Sequence, residues 1–310
     1  MRAIEIQNLT KTYSTGFWKK ELHPALKSLS LSVETGETFG FIGPNGAGKT
    51  TTLKLLMGII FPTSGSALVL GKDVRDPEIK KKIGFLPEQP YFYDYLSAHE
   101  LLDYYARLSG MNSGERDRRI PQLLEEVGLG GAARKQLRKF SKGMLQRVGI
   151  AQAIVHDPEV VFLDEPMSGL DPVGRHEIRE LIQRLKDKGK TVFFSTHILS
   201  DAEALCDRVA VIHKGELRGI GVINDLRTGD SGKTEVIWEG VRTLQAVERI
   251  VVESHVTGDL VRATLLIADL DRVLEILRQQ HARLISVTPI QGTLEEYFLT
   301  KTSEAEPASA

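Results

Sequence analysis

The amino-acid sequence predicts an α/β fold with an antiparallel β edge sheet, an all-helical insertion and a small second domain of α+β type. Polar and apolar residues alternate near the start, which is typical of strands with one buried face. Further along, apolar strand patterns alternate with helical patterns, as in a parallel sheet. Strand patterns are missing only between about residues 90 and 154, so a helical segment interrupts the α/β domain.

The composition narrows the class of protein. With 310 residues the chain is long enough for one large domain and an accessory one. Its 40 basic and 41 acidic residues give a formal net charge of -1, which disfavours nucleic acid as the main partner. Cys206 is the single cysteine, so we expect no intrachain disulfide and a reducing, cytoplasmic compartment. No apolar run is long enough to span a membrane, and no secretory signal opens the chain, so we expect a soluble or membrane-peripheral protein.

The N-terminal elements make up the predicted edge sheet. Two alternating stretches, AIEIQNLTKTY from Ala3 and LKSLSLSVETGET from Leu26, predict antiparallel strands joined by a loop with an aromatic and basic tip at residues 17–20. The apolar stretch TFGFIG from Thr38 predicts a short strand, and KTTTLKLLMGII from Lys49 has helical periodicity. A strand, a glycine-rich loop and a helix therefore follow the edge sheet.

The middle of the chain has amphipathic patterns of helical period. AHELLDYYARLSG, IPQLLEEVGL and MLQRVGIAQAIVH each predict a helix, which together make the insertion. Strands resume with EVVFLDE, TVFFSTH and RVAVIHKGEL, and the helix GRHEIRELIQRLKDKG lies among them. Strands and helices that alternate in this way predict a parallel sheet.

The domain boundary is predicted at the turn-rich segment NDLRTGDSGK. The first domain then covers residues 1–222, with its helical subdomain at about 90–154, and a small α+β domain covers residues 223–300. The stretch TLEEYFL predicts a closing helix in which Thr293 and Glu296 are spaced as a capping box. Residues 301–310 are too polar and small to pack, which predicts a disordered tail.

The glycine-rich loop GPNGAGKT at residues 43–50 matches the phosphate-binding pattern G-x-x-x-x-G-K-[ST]. The alternative, a glycine turn before an ordinary helix, is disfavoured because the loop lies between a predicted strand and a predicted helix. In such a loop backbone N–H groups surround phosphate oxygens, and the helix N-terminus adds positive partial charge. Lys49 would reach the β- and γ-phosphates, and the Thr50 hydroxyl would ligate Mg²⁺. The predicted nucleotide-binding residues of this loop are Gly43, Asn45, Gly46, Ala47, Gly48, Lys49, Thr50 and Thr51.

Further candidates for catalysis follow predicted strands. VVFLDEP ends in Asp164, a candidate to hold Mg²⁺ through water, and Glu165, a candidate to deprotonate the attacking water. On their own, two such carboxylates could be a helix cap or a solvated turn. His197 follows TVFFS and is a candidate to hydrogen-bond the γ-phosphate, although a lone histidine is more often structural. Gln89 in LPEQP is a candidate for Mg²⁺ or for the water, and otherwise an ordinary surface residue.

The ordered set of motifs resembles the nucleotide-binding domains of ATP-binding cassette (ABC) proteins. GPNGAGKTT, PEQ, FSKGMLQR, VVFLDEP, SGLD and STH occur in the order of that family over about residues 1–222. The resemblance implies a P-loop NTPase core, ATP and Mg²⁺ as cofactors, and two such domains that face each other around two ATP molecules. It further implies that Tyr13 stacks on adenine and that Ser168 and Asp171 line the contact between the domains.

The segment FSKGMLQR occupies the signature position, at which a domain contacts the ATP held by its partner. The family pattern is usually Leu-Ser-Gly-Gly-Gln, so Ser141 and Gly143 are retained while Phe140, Lys142 and Met144 depart from it. Ser141 and Gly143 supply the hydroxyl and the bare backbone N–H that the γ-phosphate would need. We expect Lys142 to face solvent, and the hydrogen bond of the amide that is missing at position 144 to be either lost or supplied by Gln146.

The C-terminal extension is similar to that of single-domain ABC ATPases of exporters whose permease is a separate chain. The expected function is therefore an ATPase subunit of an exporter, peripheral on the cytoplasmic face of the membrane, with a separately encoded integral membrane permease. A second ABC subunit, in a homodimer, is the other expected partner. Tyr91, Phe92, Tyr93 and Tyr95 follow Gln89 and are the expected permease contact, although such aromatic residues are more often part of a subdomain core. The alternatives are a soluble ABC ATPase acting on ribosomes or DNA, and an unrelated phosphate-loop kinase.

Overall fold

A computed structural model describes residues 1–16, 21–223, 230–240 and 243–291. In these ranges the chain forms two compact units, one within residues 1–223 and one within residues 230–291. The predicted loop tip at 17–20, the closing helix with Thr293 and Glu296, and the predicted tail at 301–310 lie outside the described residues.

The first unit contains both predicted kinds of sheet. Its strands are β1 (Arg2–Thr15), β2 (Glu21–Glu34), β3 (Thr38–Ile42), β4 (Ser64–Val69), β5 (Lys72–Asp73), β6 (Ile83–Leu86), β7 (Val160–Asp164), β8 (Thr191–Thr196), β9 (Arg208–His213) and β10 (Glu216–Val222). Its helices are α1 (Lys49–Leu56), α2 (Ala98–Leu108), α3 (Ser113–Glu126), α4 (Lys142–Ile154), α5 (Pro172–Asp187) and α6 (Leu199–Leu205).

The edge sheet is antiparallel, with strand order β2-β1-β4-β5. The alternation of polar and apolar residues places the apolar side chains of these strands on one buried face. The side chains on this face include Ile4, Ile6, Leu29 and Leu31. These side chains share a core with Phe39 and other residues of the neighbouring sheet, which fixes the edge sheet against the α/β part. The predicted antiparallel edge sheet is confirmed.

The central sheet has the strand order β10-β9-β3-β8-β7-β6. Its internal pairs are parallel, and only β10 runs antiparallel to its neighbour. Every residue of β3 and β7 is buried, which agrees with their continuous apolar sequences. Since β8 lies between β3 and β7, the loops that leave these three strands emerge side by side at one edge of the sheet.

The helical insertion is confirmed between β6 and β7, where α2, α3 and α4 pack together. Polar caps set their starts: Ser97 and Glu100 form a capping box on α2, and Asn112 and Glu115 form one on α3. Ser141 caps α4 by accepting a hydrogen bond from the Met144 N–H. None of the helices in the described ranges combines the length and the apolar character that a bilayer crossing requires.

The second unit is an antiparallel sheet with helices. Its elements are β11 (Asp230–Glu239), α7 (Leu244–Val247), β12 (Val251–Thr257), β13 (Leu260–Leu266), α8 (Leu270–Gln279) and β14 (Arg283–Gln291). The strand order is β12-β13-β11-β14. Val273 and Leu277 of α8 cover Val236 and Trp238 of the central strand. Trp238 is fully buried, and its indole N–H donates to the Thr243 hydroxyl, so its polar atom has a partner inside the core.

Candidate active site

The glycine-rich loop leaves β3 and enters α1 with a backbone that requires glycine. Gly46 and Gly48 have φ of 79° and 110°, in the left-handed region. A Cβ at Gly43 would lie 2.4 Å from the Ile212 carbonyl oxygen, and one at Gly48 would lie 2.6 Å from that of Ala25. Close packing and positive φ together explain why glycine is needed at these positions of the loop.

The loop forms one wall of a cavity of about 370 Å³. The residues that line it are Ala25, Asn45, Gly46, Gly48, Lys49, Thr50, Thr51, Glu88 and Glu165. Most of the predicted loop residues are therefore brought together around one space. Ala47 is buried away from it, and its N–H donates to the Pro44 carbonyl at 3.2 Å, which stabilises the loop itself.

Lys49 is buried at the base of this cavity. Its ammonium donates to the carbonyl oxygens of Gly43 and Pro44, at 2.6 and 3.1 Å. It also forms an ion pair with Glu165, with 3.1 Å between Nζ and Oε1. Both side chains are 6–7% exposed, so the attraction between them is weakly screened. Among the described residues that line the cavity, Lys49 is the only one with an ammonium group, and this contact places it next to a carboxylate.

Glu165 follows β7 in an unusual backbone conformation. Its φ is 49°, and its N–H donates to the Ser195 hydroxyl at 3.0 Å. Its second carboxylate oxygen lies 2.8 Å from Nδ1 of His197, which places the proton of the shared hydrogen bond on Nδ1 when the carboxylate is ionised. The imidazole side chain is 40% exposed. The structure thus joins two predicted catalytic residues with Lys49.

Asp164 is the last residue of β7 and is 1% exposed. Burial raises the pKa of its carboxyl group, while hydrogen bonds with Ser195 and Thr50 act in the opposite direction. The Ser195 hydroxyl donates to Oδ1 at 2.6 Å. In the described ranges no group of three or more His, Cys, Asp or Glu side chains has metal-binding geometry. The neighbouring oxygens of Thr50 and Asp164 are nonetheless the hard donors that Mg²⁺ takes together with substrate phosphates.

Gln89 does not line this cavity. Its exposed side chain lines two other cavities, whereas the side chain of the preceding residue, Glu88, lines the cavity with Lys49. Glu88 and Gln89 together line one of those two cavities, of about 230 Å³. The role of Gln89 toward the metal and the water stays a prediction.

Four predicted residues lie on other surfaces of the first unit. Tyr13 of β1 is 38% exposed, with the Lys11 ammonium 5.2 Å from its ring centroid. Ser141 caps α4, and a Cβ at Gly143 would have no neighbour within 4 Å. Asp171 caps α5, its Oδ1 accepting from the Gly174 N–H at 2.9 Å. None of these four lines the cavity around Lys49.

The signature segment contacts the turn that precedes α5. Lys142 is exposed, as expected, but its ammonium lies against Gly169, where a Cβ would approach Nζ to 2.1 Å. Gln146 is 5% exposed and turns toward the same region. The lysine thus packs on a glycine whose φ of 65° already disfavours other residues.

The sequence analysis missed Ser195, Glu88 and a buried ion cluster. The Asp201 carboxylate is fully buried and accepts from Arg175 and Arg179, at 3.0 and 2.7 Å. The cluster ties α5, which begins after Asp171, to α6, which begins after His197. An acidic residue in an amphipathic helix gives no sign of its burial, because its partners lie more than twenty residues away in the sequence.

Comparisons with known proteins agree with the motifs. The sequence model of the ABC transporter family matches residues 26–168. An uncharacterized ABC transporter ATP-binding protein of Synechocystis, sll0415, is 45% identical over 310 residues, covering 97% of this chain and 85% of that protein. The chain belongs to the ABC transporter ATP-binding subunits. As a member of this family, it is the ATP-hydrolysing subunit of a transporter.

A second relative and a solved structure are also similar to this chain. The linearmycin resistance ATP-binding protein LnrL of Bacillus subtilis is 33% identical, covering 96% of this chain and 98% of that protein. A dimeric structure of a post-hydrolysis state of the ATP-binding cassette MJ0796, bound to ADP and Pi, has a TM-score of 0.65 and 28% identity. It covers 71% of this chain and 98% of that one. The P-loop NTPase fold predicted from the motifs is confirmed.

Proposed function

We propose that the ATP-binding subunit drives an exporter, as a homodimer bound to a separately encoded permease on the cytoplasmic face of the membrane. ATP would close the dimer and hydrolysis would reopen it. The resistance function in the name of LnrL supports export, because resistance to an antibiotic is commonly achieved by removing it from the cell. The observation that carries the catalytic part is the contact of Glu165 with both Lys49 and His197.

Binding of ATP would use the loop and the N-terminus of α1. The triphosphate would lie in the cavity around Lys49, where inward amides, the helix dipole and the ammonium favour negative charge. Because Lys49 also pairs with Glu165, a γ-phosphate would compete for the ammonium and leave the carboxylate free. Tyr13 would stack on the adenine from the exposed end of the edge sheet.

Thr50 and Asp164 would hold Mg²⁺. The ion neutralises charge on the β- and γ-phosphates when bound. Ser195 keeps the Asp164 carboxylate in position by donating to it at 2.6 Å, and the same hydroxyl accepts from the Glu165 N–H. One hydroxyl thus aligns both carboxylates that follow β7.

Glu165 would take the proton from the attacking water, and His197 would hold the carboxylate. The imidazole Nδ1–H donates to Glu165, and Nε2 would donate to a γ-phosphate oxygen only in the imidazolium form, because the phosphate oxygen is itself an acceptor. A general base of this kind contributes about a 10²- to 10⁴-fold increase in rate.

A second subunit would complete the site. Ser141, Gly143 and Asp171 are proposed to contact the nucleotide or the interface of the partner, which agrees with their exposure outside the cavity of their own subunit. The bare Gly143 backbone at the start of α4 leaves room for a phosphate oxygen. A dimer then contains two identical composite sites.

The permease would dock beside the helical insertion. Tyr91, Tyr93 and Tyr95 are 55–95% exposed, and Tyr93 also contacts Tyr104 edge-on. This exposed aromatic surface suits a partner whose contact segment is apolar with polar edges. Gln89 lines a cavity with Tyr91, so the segment after Glu88 leads from the nucleotide cavity to this surface.

Glu165→Gln tests the catalytic proposal. We expect ATP binding to be retained, turnover to fall by about 10²- to 10⁴-fold, and a dimer to accumulate with ATP. The dimer is measured by light scattering after gel filtration. Glu180→Gln, on the exposed side of α5, is the matched control and should hydrolyse ATP normally. Normal turnover by Glu165→Gln would refute the assignment of the base.

Photocrosslinking from position 93 in membranes tests the transport proposal. We expect capture of a polytopic membrane protein, and loss of capture when the crosslinker is moved to the exposed position Lys72. Strong, salt-dependent binding to ribosomes or DNA, with no membrane protein captured, would support the soluble alternative instead.

A further inference from the structure

Strand β12 forms one edge of the sheet in the second unit. Within the described ranges it pairs with β13 on one side, and no strand lies along its other side. Residues 252–257 of this strand are exposed, and the exposed fractions of Val252 and Val256 are 56% and 45%. The backbone N–H and C=O groups on the outer side of such a strand can add a further strand to the sheet.

The hairpin turn between β12 and β13 determines which residues offer those groups. Gly258, with φ of 63°, and Asp259 form a two-residue turn. The flanking residues Thr257 and Leu260 hydrogen-bond to each other in a turn of this kind. In an antiparallel ladder every second residue bonds to the same neighbour, and the pairing is regular from Glu253 to the turn. Ser254, three residues before Thr257, therefore directs its N–H and C=O groups away from β13.

The sequence of β12 is complementary to itself when two copies run in opposite directions. Residues 252–256 read Val-Glu-Ser-His-Val. With two copies antiparallel around Ser254, valine faces valine, and Glu253 of each copy faces His255 of the other. These two side chains are 67% and 73% exposed, and a carboxylate can accept from the imidazole whether or not the ring is charged. The valine pairs would bury apolar surface that is exposed in the single chain.

Charge also selects one register. Moving the two-fold axis from Ser254 to Glu253 would place carboxylate opposite carboxylate, which destabilises a sheet. Charged residues on an edge strand usually prevent pairing, but here acid and base lie on either side of Ser254 and match when the strand meets its own copy. The opposite edge strand, β14, contains Pro289, which has no N–H to donate. Strand β12 is therefore the edge that suits a second copy of this chain.

We propose that β12 pairs antiparallel with β12 of a second copy, around a two-fold axis at Ser254. The second units of the two copies then form one continuous sheet, with four strands from each copy. This contact goes beyond the proposed function, because it needs neither ATP nor the signature segment. It gives residues 230–291 the role of holding two copies together.

Disulfide crosslinking of the full chain tests the register. Cys206, the single cysteine, is first replaced by alanine, and Ser254→Cys is then oxidised without nucleotide. Opposed residues of a hydrogen-bonded pair have Cα atoms about 5.5 Å apart, which suits a disulfide. Thr257→Cys is the matched control, because its two copies would lie about 20 Å apart along the paired strands. We expect Ser254→Cys to form a covalent dimer at least about tenfold faster than Thr257→Cys.

Exchange of the charged residues tests the same pairing without a cysteine. His255→Glu places carboxylates opposite each other at two positions of the paired strands. It should lower the self-association constant, measured by sedimentation without nucleotide, by about threefold or more. Adding Glu253→His to this variant exchanges the two groups and should restore association. Melting temperatures show that each variant is folded.

Two results would overturn the inference. One is equal crosslinking from positions 254 and 257, which indicates random collision of the chains. The other is a double variant that melts like the unaltered chain but does not regain association. Neither measurement depends on ATP, so such a failure leaves the proposed ATPase function intact, whereas loss of ATP hydrolysis in the unaltered chain would refute that function alone.

Discussion

The buried carboxylate of Asp201 allows a quantitative prediction of stability. It is fully buried and accepts from two arginines, at 3.0 and 2.7 Å, and the Arg175 and Arg179 side chains are 25% and 32% exposed. Removing one partner of a buried ion pair costs about 3–5 kcal/mol, because a charge is left without compensation. Water reaches part of both arginine side chains, so the loss of unfolding free energy in Asp201→Ala should lie at the lower end of this range, at about 3 kcal/mol.

The measurement is urea unfolding followed by circular dichroism. We expect Asp201→Ala to reduce the free energy of unfolding by about 3 kcal/mol. Glu159→Ala is the matched control, because Glu159 pairs with Lys82 at a similar distance of 2.8 Å but both side chains are more than half exposed. That exposed pair should contribute less than about 1 kcal/mol. Equal losses in the two variants would refute the argument that burial gives the Asp201 cluster its strength.

The cluster should also affect catalysis, because it joins the helices that follow Asp171 and His197. At a temperature where Asp201→Ala is folded, we expect kcat to fall while KM for ATP changes little, since the phosphate loop is not touched. Asp201→Glu keeps the charge and should recover most of the rate. A rise in KM with unchanged kcat would contradict a positioning role.

Three further predictions concern single residues. Gly48→Ala should abolish ATP binding in a nucleotide titration, because φ at this position is 110° and the new Cβ would lie 2.6 Å from a carbonyl oxygen. The control is Gly71→Ala, where φ is 75° but no atom lies within 4 Å of the new Cβ, and this variant should bind ATP normally. Trp238→Ala should destabilise the second unit by about 3–5 kcal/mol in urea unfolding, and a loss below 1 kcal/mol would contradict its place in the core. Burial raises the pKa of Asp164 in the folded chain above its ordinary value of 3.8. The folded chain therefore holds this proton more tightly than the unfolded chain, which stabilises the fold at pH values below 3.8. This contribution to the free energy of unfolding is lost as the pH rises through the folded-state pKa. Melting temperatures of Asp164→Asn should therefore fall less with rising pH above 3.8 than those of the unaltered chain.

The sequence predicted the phosphate loop and the carboxylates after β7 because their signals are local. A glycine pattern between a strand and a helix specifies a backbone path, and the adjacency of β3, β8 and β7 then brings Lys49, Glu165 and His197 together. Ser141 and Asp171 cap the helices that follow them, as serine and aspartate commonly do at helix starts.

Other features could not be predicted because they depend on direction or distance. Glu88 lines the cavity around Lys49 and Gln89 does not, which depends on the path of the chain after β6 ends at Leu86. The partners of Asp201 come from another helix, so only the folded chain reveals the ion cluster. Strand β12 was missed because it is an edge strand with mostly exposed residues, and so lacks the alternation that marks a buried face.

The place of β3 in the central sheet has a consequence for biosynthesis. Ile42 pairs with Thr196, which is 196 − 42 = 154 residues later in the chain. At about 5–20 residues per second, a ribosome needs roughly 8–30 seconds to supply that partner. Until then β3, whose Phe39 and Phe41 side chains are fully buried in the finished protein, lacks both of its neighbours in the central sheet, β8 and β9. Nascent chains of this protein should therefore need chaperone protection over that interval, and fragments ending before β8 should aggregate.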